Sequence, residues 1–173
     1  MLKPAILYKE ALPSCLAQAS MYESNRFYAE NYWDFDGGIK SDNWERHQFV
    51  SLDKSDNVVG LFSITVNRPC HFVHALGVIR FDKEKRYDFL FAKDFKAFFD
   101  LMFSYYKYIK MNFSVCIGSP HEAMYDRFVE RYGGRIVGIK NKDWRLQDGT
   151  ICDQKLYELE REPFLQALKE KSK

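Results

Sequence analysis

The chain has 173 residues, of which 46% are apolar and 17% aromatic, with 15 Phe and 11 Tyr. That composition excludes a disordered chain and suits a single domain over residues 1–173. Lys and Arg number 26 against 24 Asp and Glu, a net charge of +2, so neither nucleic acid nor an anionic membrane is expected as a partner.

Lys3 to Tyr8 reads as a short first strand. Pro13-Ser14 opens a helix predicted from Cys15 to about Tyr32, whose inward face would carry Cys15, Ala19, Tyr22, Ala29 and Trp33. A loop rich in aromatics and acids, Trp33 to Gly38, follows. Three strands come next, His47–Leu52, Val58–Val66 and His71–Phe81, joined by turns at 53–57 and at Asn67-Arg68-Pro69. Asp82 to Asp88 is a charged connection. Phe91, Phe95, Phe98, Met102, Tyr105 and Ile109 then recur at three- and four-residue steps, which predicts an amphipathic helix of about five turns.

Lys110 to Ile117 is β-rich and stops at Gly118-Ser119-Pro120, where Ser119 can cap a helix and Pro120 fits its first turn. The helix, His121 to Tyr132, turns Tyr125, Phe128, Val129 and Tyr132 to one face and ends at Gly133-Gly134. Arg135–Lys140 and Ile151–Glu158 form two strands around the turn Gln147-Asp148-Gly149, and Glu162–Lys171 a terminal helix. A crossover helix between the fourth and fifth strands makes those two parallel in an otherwise mostly antiparallel sheet. The class is therefore α/β (α+β): a mixed sheet of six to seven strands flanked by helices.

Membrane, secretory and metal signatures are missing from this pattern. The aromatic stretch Phe89 to Tyr108 is broken by Lys93, Asp94, Lys96, Asp100 and Lys107. Met1-Leu2-Lys3-Pro4 lacks the apolar centre of a signal peptide, which favours the cytoplasm. Cys15, Cys70, Cys116 and Cys152 form no Cys-x-x-Cys spacing, so all four read as reduced and no metal is expected.

The segment VERYGGRIVGIKNKDWRLQDGTICDQKLYELEREPF resembles the C-terminal half of the GCN5-related N-acetyltransferases, in particular the branch related to ribosomal-protein N-acetyltransferases. Glu130, Arg131, Gly133, Asp148, Gly149, Asp153 and Tyr157 occupy the places of that branch's helix end and hairpin. Gly134 stands where the family usually has an aromatic.

The resemblance implies transfer of an acetyl group from acetyl-CoA to an amine of a small molecule or a protein. Acetyl-CoA is the co-substrate, no metal takes part, and the aromatic surplus leaves room for a homodimer interface. In the family, backbone amides of the fourth strand hold the thioester and its pantetheine arm, which points to Val78 and Ile79 here. The family's phosphate loop has successive glycines, yet residues 82–92 contain none. Lys83, Lys85 and Arg86 would then meet the phosphates by charge, with Arg86 at the place of the Arg of a divergent subgroup; the other reading is a solvated charged turn.

The family's general acid is a Tyr near Val129, a position without a hydroxyl in this chain. Tyr125 is the preferred substitute and Tyr132 the second. Ser119 or Glu122 would replace an Asn that the family carries near the start of this helix. His74, Glu84 and Asp82 are the candidates for the base, and Asp34 and Asp36 could attract the amine. Cys116 reads as a buried inert thiol. A catalytically silent interaction protein that keeps the fold is the competing reading, carried by the missing glycines and the displaced Tyr.

Overall fold

The computed structural model describes residues 1–20, 44–81, 85–146 and 148–170. Its strands are β1 Leu2–Pro4, β2 Arg46–Leu52, β3 Val58–Asn67, β4 Phe72–Arg80, β5 Lys110–Cys116, β6 Arg135–Arg145 and β7 Ile151–Glu160. The α-helices among the described residues are α1 Leu12–Ser20, α2 Asp88–Asp100, α3 Glu122–Arg131 and α4 Arg161–Glu170. The seven strands form one sheet in the order β1-β2-β3-β4-β5-β7-β6. Every neighbouring pair is antiparallel except β4 and β5.

The sheet is buried on both faces at its centre because β3 is apolar at alternate and at intervening positions. Phe62, Ile64 and Val66 turn to one face and join the larger core with Phe95, Phe98 and Phe99 of α2 and Tyr125 and Val129 of α3. Leu61 turns to the other and packs with Leu12 and Leu16 of α1, Val50 and Phe81. Phe62 stacks between Phe91 and Phe98, with ring centroids 5.0 and 5.5 Å away. Phe91 also lies flat on the backbone of Gly60, where an added Cβ would come within 2.4 Å of its ring.

Three boundaries differ from the sequence reading. The first strand ends at Pro4, which has no N–H for the ladder, and 5–8 coil into a 3₁₀ turn that buries Ala5. The long amphipathic helix is α2 followed by a π-turn at Leu101–Tyr105. Its wider bonds, Tyr106 N–H to Leu101 O and Tyr108 N–H to Met102 O, rotate the residues beyond it. Met102 and Phe103 therefore face inward, while Tyr105 and Ile109, expected on the buried face, are exposed. Strand β6 runs to Arg145, well past Lys140, because two irregularities let it bend along β7. Of the helix predicted for 15–32, only the part to Ser20 lies within the described residues; Tyr22, Ala29, Trp33 and the loop with Asp34 and Asp36 lie outside them.

The close approach of Phe91 to Gly60 gives a direct test. Gly60→Ala forces the ring or the neighbouring Ile79 carbonyl to move and is expected to destabilise the fold by about 1–3 kcal/mol. Gly138→Ala, on edge strand β6 with nothing within 4 Å of the new methyl, is the control and should stay within about 0.5 kcal/mol. Urea denaturation of the two variants checks both.

Candidate active site

The site begins as a fault in strand pairing. In β4, Gly77 opposes Ser63 and His74 opposes Thr65 on β3, so Ala75 and Leu76 stand together against Ile64. Ala75 takes up the extra residue with φ +55°, a bulge that bends β4. On its other side β4 meets β5 only at Val73–Met111 and His74–Asn112. Beyond that step β5 stays with β7, pairing from Lys110–Glu160 to Cys116–Gln154. The two parallel strands part, and a cleft of about 330 Å³ opens between them.

β4 lines one wall of the cleft from Ala75 to Val78, and β5 lines the other with Ser114, Val115 and Cys116. Ser119, His121 and Tyr125 enter from the start of α3, and Trp144 and Gln154 from the β6–β7 hairpin. The Phe81 N–H bonds to the Val59 carbonyl. By antiparallel alternation Ile79 and Gly77 also turn their backbone groups to β3, and Val78 turns its N–H and C=O into the cleft. Of the two strand residues singled out from the sequence, Val78 thus presents open backbone groups and Ile79 sits in the ladder, its side chain against the α1 core.

Tyr125 is 6% exposed, with its ring stacked on Phe95 at 5.7 Å and edge-on to Phe113 and Tyr157. Ser119 accepts a hydrogen bond from the His121 N–H at 3.3 Å. Glu122 does not line the cleft. Its carboxylate accepts the Gly118 N–H at 2.8 Å and pairs with Lys155. Lys155 also donates to Asp126, which accepts the Tyr157 hydroxyl at 2.7 Å. The network Glu122–Lys155–Asp126–Tyr157 fastens the first turns of α3 to β7 and so fixes where His121 and Tyr125 stand.

None of the other candidates is among the described residues that line the cleft. His74 marks the last paired step of β4, its ring against Phe72 at 5.9 Å. Glu84, with Asp82 and Lys83, lies outside the described residues, and Lys85 opens a short 3₁₀ turn before α2. Arg86 is exposed, its guanidinium 4.7 Å from the centre of the Tyr87 ring. At the N-terminus of α2, Asp88 occupies the first turn and pairs with Arg80. All four cysteines are free. Burial, with the neighbouring Cys152 thiol, pushes the Cys116 thiol well above its ordinary range, so it stays protonated and inert.

Sequence reasoning missed His121, Trp144 and Gln154. His121 had a usable signal, since it precedes Tyr125 by four residues and shares its helix face. Trp144 had none, because a bulge in β6 sets its register, and Gln154 had only strand alternation, which does not say which face of β7 borders a cleft.

No protein-family model matches the chain, and no curated protein matches it. Solved structures do match. A chimera of the spermidine N-acetyltransferase SpeG from Vibrio cholerae and hSSAT has a TM-score of 0.74 at 13% identity, covering 96% of this chain and 99% of that one. Vibrio cholerae spermidine N-acetyltransferase in complex with CoA and spermine gives 0.73 at 16% identity, over 95% and 97% of the two chains. The spermidine/spermine N-acetyltransferase SpeG from the same organism, in complex with manganese ions, gives 0.69 at 15%, over 96% and 95%. The chain therefore has the fold of the GCN5-related N-acetyltransferases, including their mixed, mostly antiparallel sheet.

The α3 network makes stability depend on pH. Lys155 and the Gly118 N–H hold Glu122 below its ordinary 4.5. Burial raises Asp126, but the Tyr157 hydroxyl and the Lys155 ammonium outweigh it and bring it below 3.8. Bonding to Glu122 raises Lys155 above 10.5. Lowered carboxylates contribute stability that is present above their unfolded values and lost as pH falls through the folded ones; a raised lysine contributes below its unfolded value and loses it as pH rises past the folded one. The wild type should weaken on acidification below about pH 4. Lys155→Met leaves Glu122 and Asp126 facing each other, so that variant is less stable at pH 7 and regains ground relative to wild type as pH falls. Denaturation midpoints across pH 3–8 check the crossing slopes.

Proposed function

We propose that the chain is an N-acetyltransferase that moves an acetyl group from acetyl-CoA to a primary amine by direct attack. The observation that carries this reading is the parting of β4 and β5 at His74–Asn112, which leaves the cleft edge of β4 without a neighbour. An extended amide-bearing arm fits such an edge as an added strand would. Pantetheine is an arm of that kind, and Val78 offers it one N–H and one C=O. The bulge at Ala75–Leu76 puts further amides beside the place where the thioester oxygen would gain charge.

In this reading a neutral amine enters from the face opposite α2 and α3 and attacks the thioester carbon. The carbon–sulfur bond then breaks. Tyr125, which enters from the α3 side, gives its hydroxyl proton to the departing thiolate, and the ammonium formed on the acceptor loses a proton. Of the two histidines, His121 lines the cleft from the α3 side and His74 does not line it. The hairpin with Asp148, Gly149, Asp153 and Tyr157 supports a place near the ribosomal-protein branch, and the likeness to spermidine acetyltransferases supports an amine acceptor.

The far end of the donor is where a second reading gains support. A helix N-terminus attracts a pyrophosphate through its unsatisfied N–H groups and its dipole. Here the Asp88 carboxylate already stands in that turn and pairs with Arg80, and no glycine opens the backbone. Lys85 and Arg86 would have to hold the nucleotide by side-chain charge. If they do not, the chain is an interaction protein that keeps this fold with a silent cleft.

A thermal-shift titration separates the two. Acetyl-CoA at a hundred times its Kd should stabilise the protein by about 2.7 kcal/mol, and no shift at millimolar acetyl-CoA selects the silent reading. Given binding, Arg86→Ala should weaken it, and Tyr125→Phe should lower kcat by about a hundredfold with acetyl-CoA affinity unchanged. Full turnover in Tyr125→Phe removes that hydroxyl from the mechanism.

A further inference from the structure

The hairpin wall of the cleft carries hydrogen-bonding groups that the fold does not use. In β7, Lys155 and Tyr157 point to Asp126 on α3, so Cys152, Gln154 and Leu156 stand on the opposite face. Strand register brings Ser114 beside Leu156 and Cys116 beside Gln154 on that face. β6 reaches it through a bulge: Lys140 opposes Gln154 and Trp144 opposes Cys152, so Asn141, Lys142 and Asp143 all stand against Asp153. Asp153 fixes the bulge by accepting the Lys142 N–H at 2.7 Å, with Lys142 at φ +53°. The indole of Trp144 is thereby delivered to the cleft.

Gln154 is 6% exposed and lines the cleft, and its carboxamide makes no hydrogen bond among the described residues. The Trp144 Nε1–H is buried and has no acceptor, and on the same face of β5 the Asn112 Oδ1 is buried without a donor. Buried polar groups are almost always partnered, so the Trp144 N–H, which lines the cleft beside the unused Gln154 carboxamide, marks a place where a ligand supplies the partner. The wall is also neutral: the described residues lining the cleft include no Asp or Glu. A polyamine needs carboxylates opposite its ammonium groups, and these residues offer none.

We infer that this wall is the acceptor subsite and that it reads a neutral carboxamide next to the reacting amine. Which molecule is the acceptor rests on the N-acetyltransferase reading. The carboxamide C=O accepts from the Trp144 Nε1–H, and its N–H donates to the Gln154 side-chain oxygen. The amine then lies toward Ser114 and the apex, across the sheet from Tyr125, with acceptor and proton donor on opposite sides of the thioester. Amino-acid amides and peptide N-termini share this chemistry; diamines and polyamines lack it.

The contact can be read without turnover. In the ¹⁵N-labelled protein, the Trp144 indole N–H resonance, assigned by its loss in Trp144→Phe, shifts and saturates on titration with glycinamide and with triglycine. It stays in place with 1,3-diaminopropane. With acetyl-CoA as donor, Trp144→Phe and Gln154→Leu raise the KM for glycinamide about tenfold and leave acetyl-CoA affinity unchanged. The lower KM of the two amides tells a peptide acceptor from a small one. An indole resonance that ignores both amides, or moves equally with the diamine, overturns the inference. So does a Trp144→Phe protein that loses acetyl-CoA affinity with acceptor KM intact, which would assign the wall to the donor's own amides. An indole response to the amides without any acetyl-CoA binding sinks the transferase reading and leaves the carboxamide subsite standing.

Discussion

The structure turns on one mismatch in strand count, two residues of β4 against one of β3. A bulge bends the strand that carries it and breaks its ladder locally. β4 keeps β3 on one side through Gly77–Ser63 and Gly60–Arg80, and it loses β5 after His74. β5 in turn is held by β7 along its whole length. The cleft is therefore a gap between two ladders, β3–β4 on one side and β5–β7 on the other. Gly77 belongs to the same arrangement, since a Cβ there would sit 2.6 Å from the Ser63 Oγ. In the aromatic core below the gap Phe99 touches Phe95, Phe113 and Phe128, and this packing sets how far α2 and α3 stand from the sheet and holds the Tyr125 ring.

The two ends of the gap differ in electrostatic character. At α3, Tyr125 is clamped by three rings and by the ion network that ties Glu122 and Asp126 to Lys155. That end is fixed by aromatic packing and by the ion network together. At α2 the partial positive charge of the helix start is already met by Asp88. A pyrophosphate there would compete with a covalently attached carboxylate. The α3 end of the cleft is thus held by packing and ion pairs, and the α2 end already carries a carboxylate of its own.

Much of the fold was legible because periodicity and punctuation agreed. Gly118-Ser119-Pro120 and Gly133-Gly134 bracket α3 within a residue or two, and Gly133 does adopt φ +73°. The parallel step between β4 and β5 followed from the crossover alone. The features that stayed hidden depend on register or on non-repeating turns. A π-turn adds one residue to a helical cycle and leaves no compositional trace, so Tyr105 and Ile109 kept the expected spacing and still turned outward. Ala75 is an ordinary residue in an unusual conformation, and nothing in the letters marks it as the bulge. For the cleft, Tyr125 came from the resemblance, as the Tyr one turn before the position where the family has its own, and it is among the lining residues. His121, Trp144 and Gln154 come together only when α3, β6 and β7 are placed on one sheet. His74 was attractive as a strand histidine, but its position at the last paired step keeps it from the lining.

The proposed acetyl transfer depends on whether the open edge of β4 takes an extended thioester arm. Amide hydrogen exchange across β4, followed with and without saturating acetyl-CoA, reads that edge residue by residue. Marked slowing is expected at Val78, whose N–H faces the cleft, with little change at Ile79 and Phe81, which already bond to β3. Equal exchange at Val78 in the presence and absence of acetyl-CoA, under conditions where the compound binds, would refute the strand-edge donor site.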